Sequence, residues 1–348
     1  MELSEEHRAL RDAVRGLLAG YPARAAIEQP AGYDPGLWQR LCKEIGVAGL
    51  AIPEAYGGAG ATLLESHVVL AEWGRQLTPG PMLGSVLATQ ALLRAGDDEL
   101  LPALCAGDRI AALAWQGEFA TAGTGRVSGV AHQVMDAETA DVLLIATGDT
   151  LSEVATNAPG VTVEPADVLD ATRRLATIRL DNVAARQVSD HAGPPAWRRD
   201  LACVALSAEQ IGAASRAFEL THEYVQQRVQ FGRPIGSFQV LQHRLAEAYL
   251  RLEAATTASW TAAEALVAGD PEAGTLAAMA KVHCSESLAA IAGEMVQMHG
   301  GLAITWEHDA HLYLKRLLGW SAYLGAPDRY LEKVGAQLVS DLNRKVLQ

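Results

Sequence analysis

The sequence is poor in cysteine and has no excess of basic residues. Its 348 residues include four cysteines, which lie far apart and form no Cys-x-x-Cys pair (Cys42, Cys105, Cys203 and Cys284). This spacing argues against a disulfide framework and a cysteine-based zinc site, and it suits a reducing cytoplasm. The formal net charge of −13 argues against nucleic-acid binding, which needs a basic face to displace counterions from phosphates.

The sequence also lacks long hydrophobic runs. No apolar stretch approaches the roughly 18 residues that cross a bilayer. The first residues, MELSEEHR, are acidic where a secretory signal peptide would be basic. No Gly-x-Ser-x-Gly motif occurs, which disfavours a hydrolase with a Ser-His-Asp triad. We therefore expect a cytoplasmic protein with no membrane span.

Hydrophobic periodicity changes twice along the chain. Apolar residues recur at helical spacing up to about residue 104, as in Leu10, Val14 and Leu17, whereas short segments rich in Val, Ile and Thr follow. The helical period returns after a Gly/Pro linker at 191–197. The predicted fold class is α+β, with an N-terminal helical domain (1–108), a small middle β-barrel or sandwich domain (109–193) and a C-terminal four-helix bundle (194–348). The bundle helices are predicted at about 198–227, 238–268, 270–299 and 309–342.

Four local motifs follow one another along this framework: IPEAYGGAG (52–60), RVQFGRPIGSFQVLQHRLAE (228–247), QMHGG (297–301) and WEHDAHLYLKR (306–316). The glycines of the first motif predict a turn between helices, because a phosphate-binding loop would need a preceding strand. Together with the order helical, β, helical, the four motifs resemble the acyl-CoA dehydrogenase family over essentially the whole chain.

The resemblance implies a tetramer in which FAD lies across a subunit boundary. It implies that Arg228, Phe231 and Gln297, with Gly300 and Gly301, reach the pyrophosphate and adenine end of an FAD held mainly by the neighbouring subunit. A guanidinium is a planar fork of donors that suits a pyrophosphate, and a glycine lets the backbone approach an anion. An arginine at the end of a long helix also interacts favourably with the helix dipole without any ligand.

The family's catalytic base is missing at both positions where the resemblance places it. The chemistry needs a glutamate to remove the α proton of an acyl-CoA thioester while the β hydrogen leaves as hydride. In most members this glutamate lies 23 residues after the second glycine of Gln-x-x-Gly-Gly, a position held here by Leu324. In others it lies 26 residues before the arginine of Arg-x-x-Phe-Gly, where the chain has Ala202.

The middle domain departs from the family in the same half of the site. If Gly129 anchors the alignment, Gln133 and Met135 replace the Trp-x-Thr that packs on the flavin ring. The losses affect residues that a chain uses for its own flavin, whereas the retained motifs serve a neighbour. The pattern predicts the base-lacking subunit of a heteromeric α2β2 dehydrogenase, as in actinobacterial enzymes that degrade steroids as CoA thioesters. The expected partners are an acyl-CoA substrate, a homologous subunit and an electron-transfer flavoprotein or similar acceptor.

Two alternatives remain open. A complete homo-oligomeric dehydrogenase would need a substitute carboxylate, for which Asp200, Glu307, Asp309 and Asp328 are the candidates. Asp200 lies two residues from Ala202, and that offset on a helix points it elsewhere. The second alternative is a helical scaffold subunit that binds no flavin.

Three histidines close to the QMHGG motif, His299, His308 and His311, raise the question of a metal site. His308 and His311 have helical i, i+3 spacing, but no Glu/His pair of established ligand spacing joins them. We therefore assign no metal to the sequence.

Overall fold

A computed structural model describes residues 3–122 and 125–346, without the side chains of 121, 122 and 340–346. These residues form two compact units. The helix–sheet unit comprises Leu3–Val69 and Thr78–Ala202, and the bundle unit comprises Leu70–Leu77 and the chain from Cys203 onward. Division into three domains at 108 and 193 remains a sequence-based prediction.

Helices make up the first part of the chain. They are α1 (Glu5–Leu18), α2 (Ala23–Ile27), α3 (Pro35–Glu44), α4 (Leu63–Arg75), α5 (Met82–Ala95) and α6 (Leu101–Cys105). Helices α1 and α3 start with side-chain caps, because Ser4 accepts a hydrogen bond from His7 N at 3.1 Å and Asp34 accepts one from Leu37 N at 3.0 Å. Helix α5 is buried along nearly its whole length.

The IPEAYGGAG segment forms a compact turn between α3 and α4. Its backbone folds back on itself, with Gly60 N donating to Ile52 O at 2.8 Å and Ala59 N donating to Gly49 O at 2.9 Å. A Cβ at Gly58 would overlap Ile52 O, so the chain needs glycine there for the close backbone approach. The predicted turn between helices is what the structure contains.

Eight strands of the described residues follow, in two four-stranded sheets. One sheet has the order β1-β4-β5-β8 and the other β2-β3-β7-β6. The strands are β1 (Ala111–Ala114), β2 (Gly117–Ala122), β3 (Arg126–Met135), β4 (Val142–Thr147), β5 (Thr150–Ala155), β6 (Val161–Pro165), β7 (Leu175–Ala184) and β8 (Arg186–Ser189). The β1–β4 pair is parallel and the other pairs are antiparallel.

Long helices build the rest of the chain. They are α7 (Pro195–Gln227), α8 (Gln239–Ala268), α9 (Ala273–His299), α10 (Ala310–Ala322) and α11 (Pro327–Val346), with a two-stranded hairpin of β9 (Val229–Gln230) and β10 (Arg233–Pro234) after α7. The prediction of one helix over 309–342 is wrong. Leu324 and Gly325 have φ of 67° and 103°, which a right-handed helix does not tolerate, so the segment divides into α10 and α11.

Helices α4 and α7 cross at two glycines within the bundle unit. A Cβ at Gly212 of α7 would overlap Ala71 O, and a Cβ at Gly74 of α4 would overlap Glu209 O. The two backbones therefore lie closer together than any larger residue would allow. Arg75 of α4 also donates to Glu219 of α7, with Nη1 and Oε1 2.6 Å apart.

A buried charge pair lies in the core of the bundle unit. Glu209 and Arg316 are both completely buried, with Arg316 Nη1 3.8 Å from Glu209 Oε2. Trp320 Nε1 donates to the same carboxylate oxygen at 2.8 Å. Because an isolated buried charge is costly, both partners are needed to hold Glu209 in the core. This carboxylate is a structural group.

Among the helices of the described residues, none combines the length and the apolar character needed to cross a membrane.

Candidate functional site

Arg228 is the first residue after α7 and begins the β9–β10 hairpin. Its carbonyl accepts a hydrogen bond from Ile235 N at 2.8 Å, which closes the hairpin. Its side chain is exposed, and its guanidinium has no ion-pair partner within residues 3–122 and 125–346. By contrast, Arg233 on the second strand lies over the Phe238 ring, 4.1 Å from its centre. Arg228 is thus an exposed cation of the hairpin that is available to an anion.

The tip of the hairpin is unusual in sequence and conformation. Phe231 and Gly232 have φ of 54° and 75°, the two positive values of a primed hairpin turn, where Asn-Gly is the common choice. A phenylalanine in this conformation is strained by about 1–3 kcal/mol. Its side chain is nevertheless 91% exposed, so burial in this chain does not offset the strain. Exposure and strain together mark Phe231 as a functional candidate.

The second predicted group lies at the C-terminal end of α9. Gly300 ends the helix with φ 60° and ψ −137°, and its N–H donates to Val296 O. Gln297, Gly300 and Gly301 are exposed, and a Cβ built on either glycine meets no atom within 4 Å. The backbone here faces open space that a ligand could fill.

The two predicted groups lie at the same end of the bundle unit. The ring of Tyr224, one turn before Arg228 on α7, stacks on the ring of His299, the last residue of α9, with centroids 4.3 Å apart and planes 21° apart. His299 is two residues from Gln297 and adjacent to Gly300. The structure therefore brings together the ends of the helices that carry Arg228 and Gln297.

A groove that the sequence did not reveal lies beside the hairpin. It has a volume of about 490 Å³, and its lining combines the apolar residues Val225, Pro234 and Leu245 with the polar residues His222, Gln226, Ser237 and Gln242. His222 and Gln226 are one turn apart on α7 and their Nε2 atoms are 3.1 Å apart. The i, i+4 spacing of these two residues before Arg228 is the signal that could have located the groove.

Leu324, at the first expected base position, lies in the turn between α10 and α11. Its side chain is half-buried and its backbone is left-handed, with φ 67°. Its carbonyl accepts a hydrogen bond from Tyr330 Oη at 2.8 Å, and Tyr330 Oη in turn lies 3.6 Å from Cys203 Sγ. Ala202, the second expected base position, is 2% exposed on α7. Neither position offers a proton acceptor.

A buried lysine holds the end of the helix before this turn. Lys281 of α9 is fully buried, and its Nζ donates to Trp320 O at 2.8 Å and to Ser321 O at 3.1 Å. Burial lowers its pKa to about 8, while the nearby thiols of Cys203 and Cys284 act in the opposite direction. The Lys281 ammonium group is therefore used in hydrogen bonds to the carbonyl groups at the C-terminal end of α10.

Two family models match this sequence and cover more than half of it. The model of the acyl-CoA dehydrogenase N-terminal domain matches residues 4–108, and that of the acyl-CoA dehydrogenase C-terminal domain matches residues 200–339. The chain belongs to the acyl-CoA dehydrogenase family.

Relatives that are similar over the whole chain carry the same assignment. Acyl-CoA dehydrogenase IpdE2 of Mycolicibacterium smegmatis is 40% identical over 97% of this chain and 100% of its own. Acyl-CoA dehydrogenase IpdE2 of Mycobacterium tuberculosis is 39% identical over 96% and 98%. The predicted family and the predicted fold class are confirmed. Members of this flavoprotein family are oxidoreductases that act on acyl-CoA, and this chain is one of them.

Solved structures of acyl-CoA dehydrogenases are similar as well. One is titled Tcur3481-Tcur3483 steroid ACAD G363A variant, with 30% identity, a TM-score of 0.89 and coverage of 97% of this chain and 99% of that one. Another is the ChsE4-ChsE5 complex from Mycobacterium tuberculosis, with 29% identity, a TM-score of 0.88 and coverage of 97% and 98%.

Gln133 and Met135, which the sequence resemblance places at the Trp-x-Thr positions, do not share a face of the sheet. Gln133 is exposed with φ 55°, whereas Met135 is 4% exposed. The pairing of β3 with β7 shifts between Ala131 and Val134. This bulge breaks the alternation that would otherwise place residues i and i+2 on the same side. Gln133 is therefore an outward-facing amide and Met135 a core side chain.

Of the four candidate substitute bases of an intact acyl-CoA dehydrogenase, three lie on the surface and Asp200 is largely buried, with its side chain 15% exposed. Glu307, Asp309 and Asp328 are exposed, Asp309 as the cap of α10 and Asp328 in the first turn of α11. Asp200, in the helix–sheet unit, lies 3.7 Å from Arg199. Exposed carboxylates next to helix starts are favourable without any catalytic role.

The three histidines near QMHGG make aromatic contacts. His299 packs between Tyr224 and His308, whose ring centroid is 4.4 Å away, and His311 contacts the Trp306 ring edge to face at 4.8 Å. Within the described part of the chain, no three His, Cys, Asp or Glu residues are placed to hold a metal ion.

Proposed function

We propose that this chain is the subunit of an FAD-dependent heteromeric acyl-CoA dehydrogenase that contributes half of a flavin site and no base. Arg228, Phe231, Gln297, Gly300 and Gly301 would bind the pyrophosphate and adenine end of an FAD held mainly by a homologous partner subunit. The partner would supply the glutamate that takes the α proton.

One observation carries the proposal, namely the contrast between the two halves of the site. The contributed half is intact and exposed: a free guanidinium at Arg228, a strained and exposed Phe231 and an open glycine turn at Gly300 and Gly301. The base positions hold the side chains of Leu324 and Ala202, which no protonation state makes basic. A chain that had lost its function altogether would not be expected to keep the strained phenylalanine.

The residues present fit the proposed cofactor. FAD, when bound, would accept the β hydrogen as hydride. The Arg228 guanidinium is a planar double donor for a diphosphate, and the backbone at Gly301 can approach an anion because a Cβ is absent. Phe231 offers an aromatic face for a purine ring.

The relatives support a particular substrate class and composition. A structure 30% identical to this chain is titled as a steroid ACAD, and a structure 29% identical is a complex of two different chains. We therefore propose a steroid-derived acyl-CoA as the substrate, and an electron-transfer flavoprotein or similar acceptor for reoxidation of the flavin.

The proposal is tested by flavin stoichiometry. The chain is purified alone and after co-expression with a homologous dehydrogenase subunit, and the released FAD is measured by fluorescence. We expect little FAD on the chain alone and about one FAD per pair of chains in the complex. One FAD on every copy of the isolated chain would contradict the proposal.

A variant with a matched control locates the contribution. Arg228→Ala is expected to lower FAD retention in the complex and to leave the fold unchanged, because an exposed side chain contributes little stability. Arg40→Ala is the control, since Arg40 is an exposed arginine of α3 whose partner, Glu44, lies one turn away. Equal FAD retention in the two variants would remove Arg228 from the site.

A third variant separates the proposal from the homo-oligomer alternative. Leu324→Glu restores a carboxylate at the expected position and is expected to produce no turnover in the isolated chain, because the flavin site remains incomplete. Turnover gained from this single change would show that the base was the only missing part.

A further inference from the structure

Three rings in contact join the two groups of the contributed half-site. Tyr224 stacks on His299 at 4.3 Å, and His299 contacts His308 at 4.4 Å with an interplanar angle of 41°. Each ring comes from a different element: the last turns of α7, the last residue of α9 and the segment before α10. We call these three residues the aromatic clamp.

The clamp connects directly to both groups of proposed flavin contacts. Arg228 N donates to Tyr224 O at 2.8 Å, so Tyr224 lies one helical turn before the arginine. His299 lies between Gln297 and Gly300 in the chain. A change in the Tyr224–His299 separation would move Arg228 and Phe231 relative to the glycine turn.

His299 is held in one orientation. It is 3% exposed, and its Nδ1 lies 2.8 Å from Met295 O. A carbonyl only accepts, so Nδ1 carries the proton in this contact. Burial lowers the pKa of His299, the Met295 contact acts in the opposite direction and His308 adds to the lowering. Burial and His308 thus favour the neutral form of the ring in the stack.

On the basis of the proposed function, we propose that Tyr224 and His299 are positioning residues for the partner's flavin. Their stacked rings fix the position of the Arg228 hairpin relative to Gln297 and Gly301. Neither side chain needs to touch the cofactor. The contribution of the stack is to pre-organise two groups of contacts that lie about 70 residues apart in the sequence.

The test measures the FAD dissociation constant of the heteromeric complex by equilibrium dialysis. Tyr224→Leu, which removes the ring, is expected to raise the constant by about 2-fold to about 10-fold, the range that an aromatic pair contributes. Tyr224→Phe, which keeps the ring, is expected to match the wild type. Phe218→Leu is the control, because Phe218 lies on the same helix and contacts His222 and Tyr249. We expect no change in FAD affinity for this control.

His299 gives a second pair of variants. His299→Phe keeps a ring in the stack and is expected to retain FAD affinity. His299→Ala is expected to raise the FAD dissociation constant to the same extent as Tyr224→Leu. A melting temperature is recorded for each variant. If Tyr224→Leu and His299→Ala lower the melting temperature but leave the dissociation constant unchanged, the clamp is purely structural and the inference is wrong.

A double-mutant cycle separates this inference from the proposed function. Tyr224→Leu combined with Arg228→Ala is expected to weaken FAD binding by less than the product of the two single effects, because the clamp acts through the arginine. Fully multiplicative effects would overturn the positioning role. If Arg228→Ala alone leaves FAD binding unchanged, the proposed function itself fails. If Arg228→Ala weakens binding and Tyr224→Leu does not, only the clamp fails.

Discussion

Gly300 and Gly301 are adjacent and exposed, but their backbones impose different requirements. Gly300 has φ 60° and ψ −137°, a conformation that is essentially restricted to glycine, whereas Gly301 has no positive φ. We expect Gly300→Ala to lower the free energy of unfolding by about 1–3 kcal/mol. Gly301→Ala is the control, and it should change stability by less than about 0.5 kcal/mol. Urea denaturation of the isolated chain measures the free energy of unfolding of both variants. An equal loss of stability in the two would contradict the statement that only Gly300 has a backbone conformation restricted to glycine.

Lys281 makes stability depend on pH in alkaline solution. Its pKa is about 8 in the folded chain and about 10.4 when unfolded, so the unfolded state binds more protons between these values. The contribution of Lys281 to the free energy of unfolding therefore rises with pH across that window. We expect the free energy of unfolding of the wild type, minus that of Lys281→Met, to rise by up to about 3 kcal/mol from pH 7.5 to pH 10.5. Denaturation at several pH values tests this, and a constant difference would contradict it.

The crossing of α4 and α7 depends on the absence of a side chain at Gly212. Because a Cβ there would overlap Ala71 O, Gly212→Ala must push the helices apart, at a cost of about 1–3 kcal/mol or more. Gly293→Ala is the control, since Gly293 lies within α9 and a Cβ there meets no atom within 4 Å. That change should stabilise the chain by about 0.5–1 kcal/mol. The melting temperature should fall for Gly212→Ala and rise for Gly293→Ala. A change in the same direction for both variants would show that the α4–α7 crossing does not depend on Gly212.

The hairpin tip offers a prediction in which stability and cofactor binding separate. Asparagine adopts positive φ more readily than phenylalanine, so Phe231→Asn is expected to raise the free energy of unfolding by up to about 1 kcal/mol. The same change should lower FAD retention in the complex, because the exposed ring is lost. Denaturation of the chain and flavin content of the complex are the two measurements. Loss of stability without loss of flavin would show that Phe231 serves the fold.

How far the sequence predicted these elements depends on local signals. The helices α7, α8 and α9 were predicted within a few residues because their periodic patterns are long. The break after α10 was missed although Gly325 and Pro327 are turn signals, because the helical pattern continues on both sides of them. The bulge that turns Gln133 outward depends on pairing with β7, which no local pattern encodes.

The site was predicted more unevenly than the fold. Arg228, Phe231, Gln297, Gly300 and Gly301 follow from motifs, and the structure places their helix ends together. The aromatic clamp was not predicted, because Tyr224 and His299 lie 75 residues apart and each is an ordinary helix residue by itself. Contacts of this kind come from tertiary packing.

At the scale of the whole molecule, exposed apolar side chains are concentrated in the bundle unit. Of the large apolar residues that are exposed in the described ranges, all but Leu169 belong to this unit, including Val240, Leu250 and Trp306. Concentrated apolar exposure marks an association surface. The bundle unit is therefore the part of the chain that we expect to meet other subunits.

This distribution predicts which surface change disrupts assembly. Leu250 of α8 is 69% exposed and Leu169 of the helix–sheet unit is 62% exposed, so the two leucines form a matched pair. We expect Leu250→Glu to shift the complex toward free subunits in light scattering coupled to gel filtration, and Leu169→Glu to leave the assembly intact. Neither change should alter the folded chain, because both side chains already face solvent. If the two variants assemble to the same extent, the subunit interface does not lie where we expect it on the bundle unit.

The exposed tip of the β9–β10 hairpin also determines how the chain is digested. An aromatic side chain at a protruding two-residue turn is a favourable cleavage site for chymotrypsin, whose specificity pocket accepts Phe231. In the isolated chain, cleavage after Phe231 would separate α7 from α8. In the complex, the bound dinucleotide and the partner would cover the same peptide bond. Digestion time courses with and without the partner would thus report on subunit docking through a single cut, without any assay of turnover.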